Sequence, residues 1–170
     1  MSEVNEKFED LGKQVFDFSD EFLVECPQCQ SLARVVLCNK DNGNIPLLYA
    51  ARKLICVKCG LSKIWQRNKF IGYQNGNKIE PGFNSFIKIG GNFDWYFQMP
   101  LWLQTECCGE ILWAFNEKHL EFIENYVADK MRKRTPNINR SLASRLPNWI
   151  KSAKNRREIL KAIGKLKQKV

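Results

Sequence analysis

The sequence predicts an α+β fold, with short strands in the first two thirds of the chain and helices in the last third. Three observations predict it. Two Cys-x-x-Cys pairs are flanked by aliphatic runs of strand length, a dense aromatic segment divides into two strands, and a basic C-terminal third has apolar residues at helical spacing. At 170 residues with 44% hydrophobic content, the chain is long enough to bury a core.

The two cysteine pairs are Cys26 with Cys29, in "VECPQCQ", and Cys56 with Cys59, in "LICVKCG". A two-residue gap suits a turn that directs two thiolates at one ion, and two such turns complete the tetrahedral shell of structural zinc. A redox dithiol would instead predict one Cys-x-x-Cys beside a βαβ pattern, which this sequence lacks. We therefore predict one Zn2+ bound by all four cysteines. The site would lie in an N-terminal zinc ribbon at residues 24–67, a small antiparallel sheet of about three strands.

A loop rich in Gly and Asn is expected at residues 68–94, and an aromatic hairpin plus helix at 95–134. Within the latter, "LWLQT" and "EILWAF" are interpreted as paired strands joined at "ECCG", where Gly109 can adopt a left-handed conformation. Both strand faces are apolar, which predicts a hairpin in the core; a base-stacking surface is the alternative. Cys107 and Cys108 at the turn are interpreted as two small apolar residues, with a second metal site or a reactive thiol as alternatives.

The C-terminal segments have the spacing of helices. Asn116 is placed to cap a helix whose apolar stripe includes Leu120, Ile123 and Val127. His119 lies one position off that stripe, so we expect it at the surface or the boundary of the core.

A basic helical tail is predicted at residues 135–170. Pro147 should kink its helix or start a new one, and the apolar stripe shifts beyond Asn155. Trp149 is expected to be buried against the hairpin.

The charge of the chain is unevenly distributed. Residues 130–170 contain fourteen Lys and Arg and one acid, Glu158, for a net charge of +13, whereas the first 129 residues carry −4. Such an asymmetry is typical of a contact with a polyanion. Four lysines are candidates to share one side and to face phosphates: Lys151, Lys154, Lys161 and Lys165.

The pattern therefore predicts a zinc-binding, non-enzymatic accessory protein that contacts DNA or RNA through its basic C-terminal helices. The first alternative is an adaptor or immunity-type interaction module whose helices bind an acidic protein. The second alternative is a thiol-dependent enzyme that uses Cys107 or Cys108.

Signs of an enzyme are few. The sequence has no phosphate-binding P-loop, no GxSxG elbow and no HExxH helix, and four thiolates leave no coordination position for a catalytic water. The acidic N-terminal segment at residues 1–23 contains no apolar signal region, and no apolar run approaches the roughly 18 residues of a membrane span. We therefore expect a cytoplasmic protein with no membrane partner.

Several strings of the sequence carry a family resemblance. They are the paired cysteines, "RKLICVKCG", Trp65, "PLWLQTECCGEILWAFNEKHLEFIENYV" and "SLASRLPNWIKSAKNRREILKAI". From about Val24 to Leu166, the chain resembles a bacterial family of small proteins labelled as containing a transcription-factor-IIB-type zinc ribbon. The resemblance implies a zinc site, a single-unit architecture and no established activity. The first turn departs from the usual ribbon pattern by having Gln30 where Gly is common.

Overall fold

The computed structural model describes residues 8–38, 46–65, 87–129 and 141–170 in full, together with the backbone of residues 69–70, 73–74, 77–78, 82–83 and 133–134. The fold is α+β, as predicted, with an antiparallel four-stranded sheet and C-terminal helices. It divides into two compact units, whereas the resemblance implied one. We call Glu21–Trp102 the sheet unit, and Met1–Asp20 with Leu103–Val170 the hairpin–helix unit.

The elements within the described residues are as follows. The strands are β1 (Glu9–Asp10), β2 (Glu21–Glu25), β3 (Leu32–Leu37), β4 (Arg52–Ile55), β5 (Ser62–Trp65), β6 (Lys69–Phe70), β7 (Tyr73–Gln74), β8 (Asn77–Lys78), β9 (Gly82–Phe83), β10 (Leu103–Cys107), β11 (Glu110–Ala114) and β12 (Lys133–Arg134). The α-helices are α1 (Glu117–Ala128), α2 (Leu142–Arg145), α3 (Asn148–Lys151) and α4 (Arg156–Lys167). Short 3-10 helices lie at Val15–Phe18, Leu47–Tyr49 and Ala153–Asn155.

The sheet unit is built on strands β2, β3, β4 and β5, which pair in that order and antiparallel. Alternation sets its faces: in β3, Ala33 and Val35 are buried while Arg34 is exposed. The sequence predicted about three strands, and the additional strand is β2. Its short "EFLVE" run begins before residue 24, where the predicted zinc ribbon starts, and therefore lies mostly outside the predicted ribbon. Each of the two Cys-x-x-Cys turns joins adjacent strands, one between β2 and β3 and the other between β4 and β5.

The buried face of the sheet packs on an aromatic segment that follows the Gly/Asn-rich region. Trp95 is fully buried and meets Phe22 edge-on, with ring centroids 5.3 Å apart. The carboxylate of Asp94 accepts three backbone N–H groups from the next five residues, which holds this segment in a tight turn. The chain then runs beside β2, where Trp102 N–H donates to the carbonyl of Leu23 at 2.9 Å.

The region predicted as a loop, residues 68–94, contains two short strand pairs. β6 pairs with β9, and β7 pairs with β8 between them, all antiparallel. The intervening residues up to 86 lie outside the described part of the chain. Each strand has only two residues, too few for the alternation by which a strand is recognised in a sequence.

The hairpin of the hairpin–helix unit forms where it was predicted. β10 and β11 pair antiparallel, with Cys107 opposite Glu110. The turn consists of Cys108 and Gly109 at φ +57° and +78°, the left-handed pair that a two-residue hairpin requires.

The prediction that both hairpin faces are covered was wrong. Leu103, Leu112 and Ala114 are buried on one face, whereas Ile111 is 46% exposed on the other and Trp113 is half-buried. α1 and α4 pack on the hairpin, and their apolar stripes cover only one of its faces.

Helix α1 begins as predicted, because the Asn116 side chain accepts the backbone N–H of His119 at 3.0 Å. Leu120, Ile123 and Val127 of its predicted stripe are buried, and Met131, which continues the stripe in the sequence, lies outside the described residues. The expectation for His119 was wrong: the side chain is only 2% exposed. The aromatic ring of Phe18 stacks on it at 5.1 Å, and this long-range neighbour is invisible to the helical pattern.

Pro147 and Asn155 divide the C-terminal part as expected. α3 starts directly after Pro147, and α4 starts after Asn155. The buried face of α4 includes Ile159, Ile163 and Leu166. Trp149 is half-buried rather than buried, because the outer face of the hairpin is only partly covered. No helix in the described ranges combines the length and apolarity needed to cross a membrane.

Candidate metal centre

The two Cys-x-x-Cys turns have the same backbone hydrogen bonds. In the first, Cys26 N–H donates to the Ser31 carbonyl at 2.8 Å, and in the second, Cys56 N–H donates to Leu61 at 2.9 Å. A second bond closes each turn, from residue 30 to Cys26 at 2.9 Å and from residue 60 to Cys56 at 3.0 Å. Because the two turns have the same backbone hydrogen bonds, Cys26 and Cys56 occupy equivalent positions, and so do Cys29 and Cys59. The two turns therefore form a related pair around one centre.

The residue after each second cysteine has a left-handed backbone. Gln30 has φ +57° and Gly60 has φ +73°. Glycine adopts this conformation without steric cost, whereas a side chain there costs about 1 kcal/mol. The first turn therefore keeps the geometry of the second although Gln30 replaces the usual glycine.

The four sulfur atoms converge. The Cys26 and Cys59 Sγ atoms are 3.6 Å apart, as are those of Cys29 and Cys56, and all four Sγ atoms lie within 4.8 Å of one another. A tetrahedral ion with Zn–S bonds of about 2.3 Å separates its sulfur ligands by roughly 3.8 Å. The spacing and the donor set are consistent with one zinc ion.

Burial divides the cysteines in the same way in both turns. Cys26 and Cys56 are buried, while Cys29 and Cys59 are partly exposed. Four thiol groups at this separation cannot all ionise without a cation, because like charges oppose one another at short range. The site therefore suits a divalent metal and leaves no fifth ligand position open.

The pKa values of the two partly exposed thiols differ in direction. The backbone N–H of Ser31 lowers the pKa of Cys29 to about 6. In the second turn, the backbone N–H of Leu61 also acts to lower the pKa of Cys59, but burial and the other three cysteine sulfurs outweigh it and raise that pKa to about 12. Cys29 is thus the first of these two thiols to provide a thiolate, and a bound cation would favour ionisation of Cys59.

Cys107 and Cys108 do not join this cluster. Their Sγ atoms are 3.7 Å apart, but the cluster of Cys26, Cys29, Cys56 and Cys59 is the one group of three or more possible metal ligands in the part of the chain that the structure describes. Burial, followed by the neighbouring Cys108 sulfur, raises the pKa of Cys107 to about 12. At neutral pH Cys107 is therefore a thiol, the less nucleophilic form.

The four lysines predicted to face phosphates differ in their surroundings. Lys154, Lys161 and Lys165 are exposed. Lys151 is partly buried, and its ammonium group donates to the carbonyl of Ser144 at 2.7 Å. Arg157, which the sequence reasoning did not select, is exposed on α4, and its spacing of four residues before Lys161 was the signal available in the sequence.

No protein-family model, curated protein or solved structure matches this chain. The resemblance to the bacterial zinc-ribbon family therefore stays a prediction.

Proposed function

We propose that the protein is a zinc-binding, non-enzymatic accessory protein that contacts nucleic acid through the exposed face of helix α4. The observation that carries the proposal is a row of exposed cations on that helix. Arg157, Lys161 and Lys165 follow at intervals of four residues and so lie on one face, opposite the buried stripe. We call these three residues, with Lys154 in the preceding turn, the basic face.

The basic face has no internal role in the described part of the chain. Within those residues, none of its four side chains forms a hydrogen bond or an ion pair. Glu158 is the one acidic residue of α4, so the exposed side of the helix keeps a net positive charge that a polyanion can complement. A phosphate backbone supplies anions at regular intervals.

Other basic residues of the same segment are used differently. Arg156 donates from Nε to the carbonyl of Val127 at 2.8 Å, where it caps the end of α1. Lys167 pairs with Glu124, and Lys169 donates to the carbonyl of Gln104. Arg156, Lys167 and Lys169 are thus bonded within the protein, whereas the side chains of the basic face are not bonded to any described residue. This difference favours the basic face as the contact surface.

Zinc has a structural role in this proposal. Four cysteines hold the ion and leave no position for a substrate or a catalytic water, so the metal stabilises the sheet unit. The thiol-enzyme alternative is disfavoured for Cys107 by its raised pKa and burial. An acidic protein would also satisfy the basic face, and the experiment below separates it from nucleic acid.

The test replaces Arg157, Lys161 and Lys165 together by Gln. Each lost phosphate contact should lower the log–log salt slope of binding by roughly 0.7 to 0.9, so the triple variant should lose about 2 to 3 from the slope. Melting temperature and zinc content should stay near those of the wild type, because the replaced side chains are exposed.

The matched control replaces three exposed lysines of the sheet unit, Lys58, Lys63 and Lys88, by Gln. It removes the same charge and should change the slope far less. Equal slopes for the two triple variants, or no affinity of the wild type for DNA or RNA at low salt, would contradict the proposal. A stoichiometric acidic protein that remains bound after nuclease treatment would favour the adaptor alternative.

A further inference from the structure

A cavity of about 310 Å3 lies on the outer face of the hairpin, within the hairpin–helix unit. β11, α2 and α3 surround it, and α1 contributes at its base. This volume is at the lower end of the range for small-molecule sites, about 300 to 1,000 Å3. Its lining is mainly apolar and aromatic and includes Ile111, Trp113, Leu146, Trp149 and Ile150.

His119 contributes a hydrogen-bond donor to this cavity. Its side chain lines the cavity although it is only 2% exposed. The backbone N–H of Phe115 donates to Nδ1 at 3.3 Å, so the proton of the neutral ring is on Nε2. Burial lowers the pKa of His119 to about 4, which keeps the ring neutral at physiological pH.

The Nε2–H group has no hydrogen-bond partner among the described residues. The described buried side-chain atoms that lack a hydrogen bond do not include Nε2 of His119, so this atom is accessible, and water or a ligand in the cavity can accept from it. A ligand in this cavity should therefore present a hydrogen-bond acceptor.

The walls favour a flat ligand. Trp113 and Trp149 both line the cavity and both are half-buried, so part of each indole remains available. Trp113 is held in place by His119, whose ring meets it edge-on at 5.8 Å. Indole rings stack on nucleobases of every type, because each base has a π face.

Two opposite charges line the cavity near its apolar walls. Arg145 and Glu110 are both exposed lining residues. The guanidinium group suits a phosphate, and the carboxylate accepts from an amino or imino group. A nucleotide offers each of these features, together with ring carbonyl or nitrogen acceptors for Nε2–H.

We propose that this cavity binds a single unstacked nucleobase, held between the two indoles with an acceptor atom on His119 and its phosphate near Arg145. The choice of ligand rests on the proposed function, since the cavity and the basic face belong to the same unit. The base can come from a single strand or from a free nucleotide, and the experiment distinguishes these sources.

The experiment measures binding to three probes: a fully abasic single strand, the same strand with one thymine, and thymidine monophosphate. One base should strengthen binding of the strand by about tenfold, in line with the contribution of one base–aromatic stack. Trp149→Ala should remove this gain, and Trp149→Phe should restore much of it, because phenylalanine keeps an aromatic face.

Phe93→Ala is the matched control. This aromatic residue is 41% exposed, belongs to the sheet unit and does not line the cavity, so its replacement should leave the tenfold gain intact. Circular dichroism of each variant checks that the fold is retained, and Trp149→Phe keeps the test valid if Trp149→Ala loosens α3.

Each outcome has a distinct meaning. Equal binding of the abasic and thymine-bearing strands overturns the base pocket while the proposed nucleic-acid function stands. Binding of thymidine monophosphate that depends on Trp149, without binding of either strand or of duplex DNA and RNA at low salt, supports the pocket and overturns the proposed function. Absence of binding to all three probes overturns the base pocket, and the proposed function falls with it if duplex DNA and RNA are not bound either.

Discussion

The sheet unit and the hairpin–helix unit both place cysteines in tight turns, but the turns are used differently. In the sheet unit, two turns bring Cys26, Cys29, Cys56 and Cys59 to within 4.8 Å of one another. In the hairpin–helix unit, Cys107 ends β10 and Cys108 begins the turn to β11. A cysteine turn therefore becomes a candidate metal site only where a second turn supplies the remaining ligands.

The two units also differ in what holds them together. The hairpin–helix unit packs α1 and α4 on a buried hairpin face, with Leu103, Leu112 and Ile163 all at 0% exposure. The candidate metal site lies at the ends of the strand pairs in the sheet unit, where a bound ion would cross-link the β2–β3 turn and the β4–β5 turn in addition to the β3–β4 pairing. We expect metal removal to affect the sheet unit most directly.

The largest expected effect is that of Cys56→Ser. Removing one of four thiolate ligands should release the zinc and unfold the sheet unit, because metal binding and folding are coupled and structural zinc contributes about 10 kcal/mol or more in small domains. Elemental analysis and circular dichroism measure both consequences. Cys38→Ser is the control, since Cys38 is exposed and outside the cluster, and it should retain full zinc. Full zinc in Cys56→Ser would show that the ligands are assigned wrongly.

The next effect concerns pH and the core of the hairpin–helix unit. Burial lowers the pKa of His119 from 6.5 to about 4, so between these values the unfolded chain binds a proton that the folded chain does not. Above pH 6.5, His119 is neutral in both the folded and the unfolded chain and makes no pH-dependent contribution to the free energy of unfolding. As pH falls from 6.5 to 4, the free energy of unfolding should decrease by about 3 kcal/mol because of His119 alone.

His119→Gln isolates this contribution. The variant should lack that part of the pH dependence in urea unfolding curves, whereas acid-induced release of zinc should affect both proteins alike. Parallel pH profiles for the variant and the wild type would show that His119 is not kept neutral by burial.

A smaller effect should distinguish the two metal turns from each other. Gly60→Ala should destabilise the sheet unit by about 1 kcal/mol, because its φ of +73° disfavours a side chain although no atom lies within 4 Å of the added Cβ. Gln30→Gly should be neutral or stabilising, since it removes the same steric cost at φ +57°. Thermal unfolding of the zinc-loaded variants measures the change in stability that each substitution causes. If both substitutions destabilise the protein, the two turns are not equivalent.

The smallest effect is expected at the hairpin turn. Cys108→Asn should raise the stability of the protein by a few tenths of a kcal/mol, because Asn tolerates φ +57° better and Asn-Gly is the favoured sequence of this turn. Zinc content should not change in Cys108→Asn or in Cys107→Ala. A fall in zinc for either variant would place a hairpin cysteine in the metal site.

Local patterns in the sequence predicted the elements whose signals are contiguous. Cys-x-x-Cys spacing, the Gly109 turn, the Asn116 cap and the break at Pro147 all depend on neighbouring residues, and the structure confirms them as turn, hairpin, cap and helix boundary. These features are determined by backbone sterics and short-range hydrogen bonds, which do not require knowledge of the tertiary fold.

Features that depend on distant residues were not predicted. His119 is buried because Phe18 stacks on it from about a hundred positions earlier in the chain, which α1 periodicity does not contain. Lys151 has the spacing of the exposed lysines in the sequence, although its ammonium group donates to the carbonyl of Ser144 across the α2–α3 turn. The outer cavity has no signal in the sequence, because half-buried Trp113 and Trp149 have the same sequence pattern as core residues.

The central claim is that four cysteines from two equivalent turns hold one zinc ion. X-ray absorption spectroscopy at the zinc edge of the purified wild-type protein, combined with elemental analysis, tests it most directly. We expect one zinc per chain with four sulfur neighbours at about 2.3 Å. A stoichiometry other than one, or a first shell that contains nitrogen or oxygen in place of any sulfur, would contradict the account.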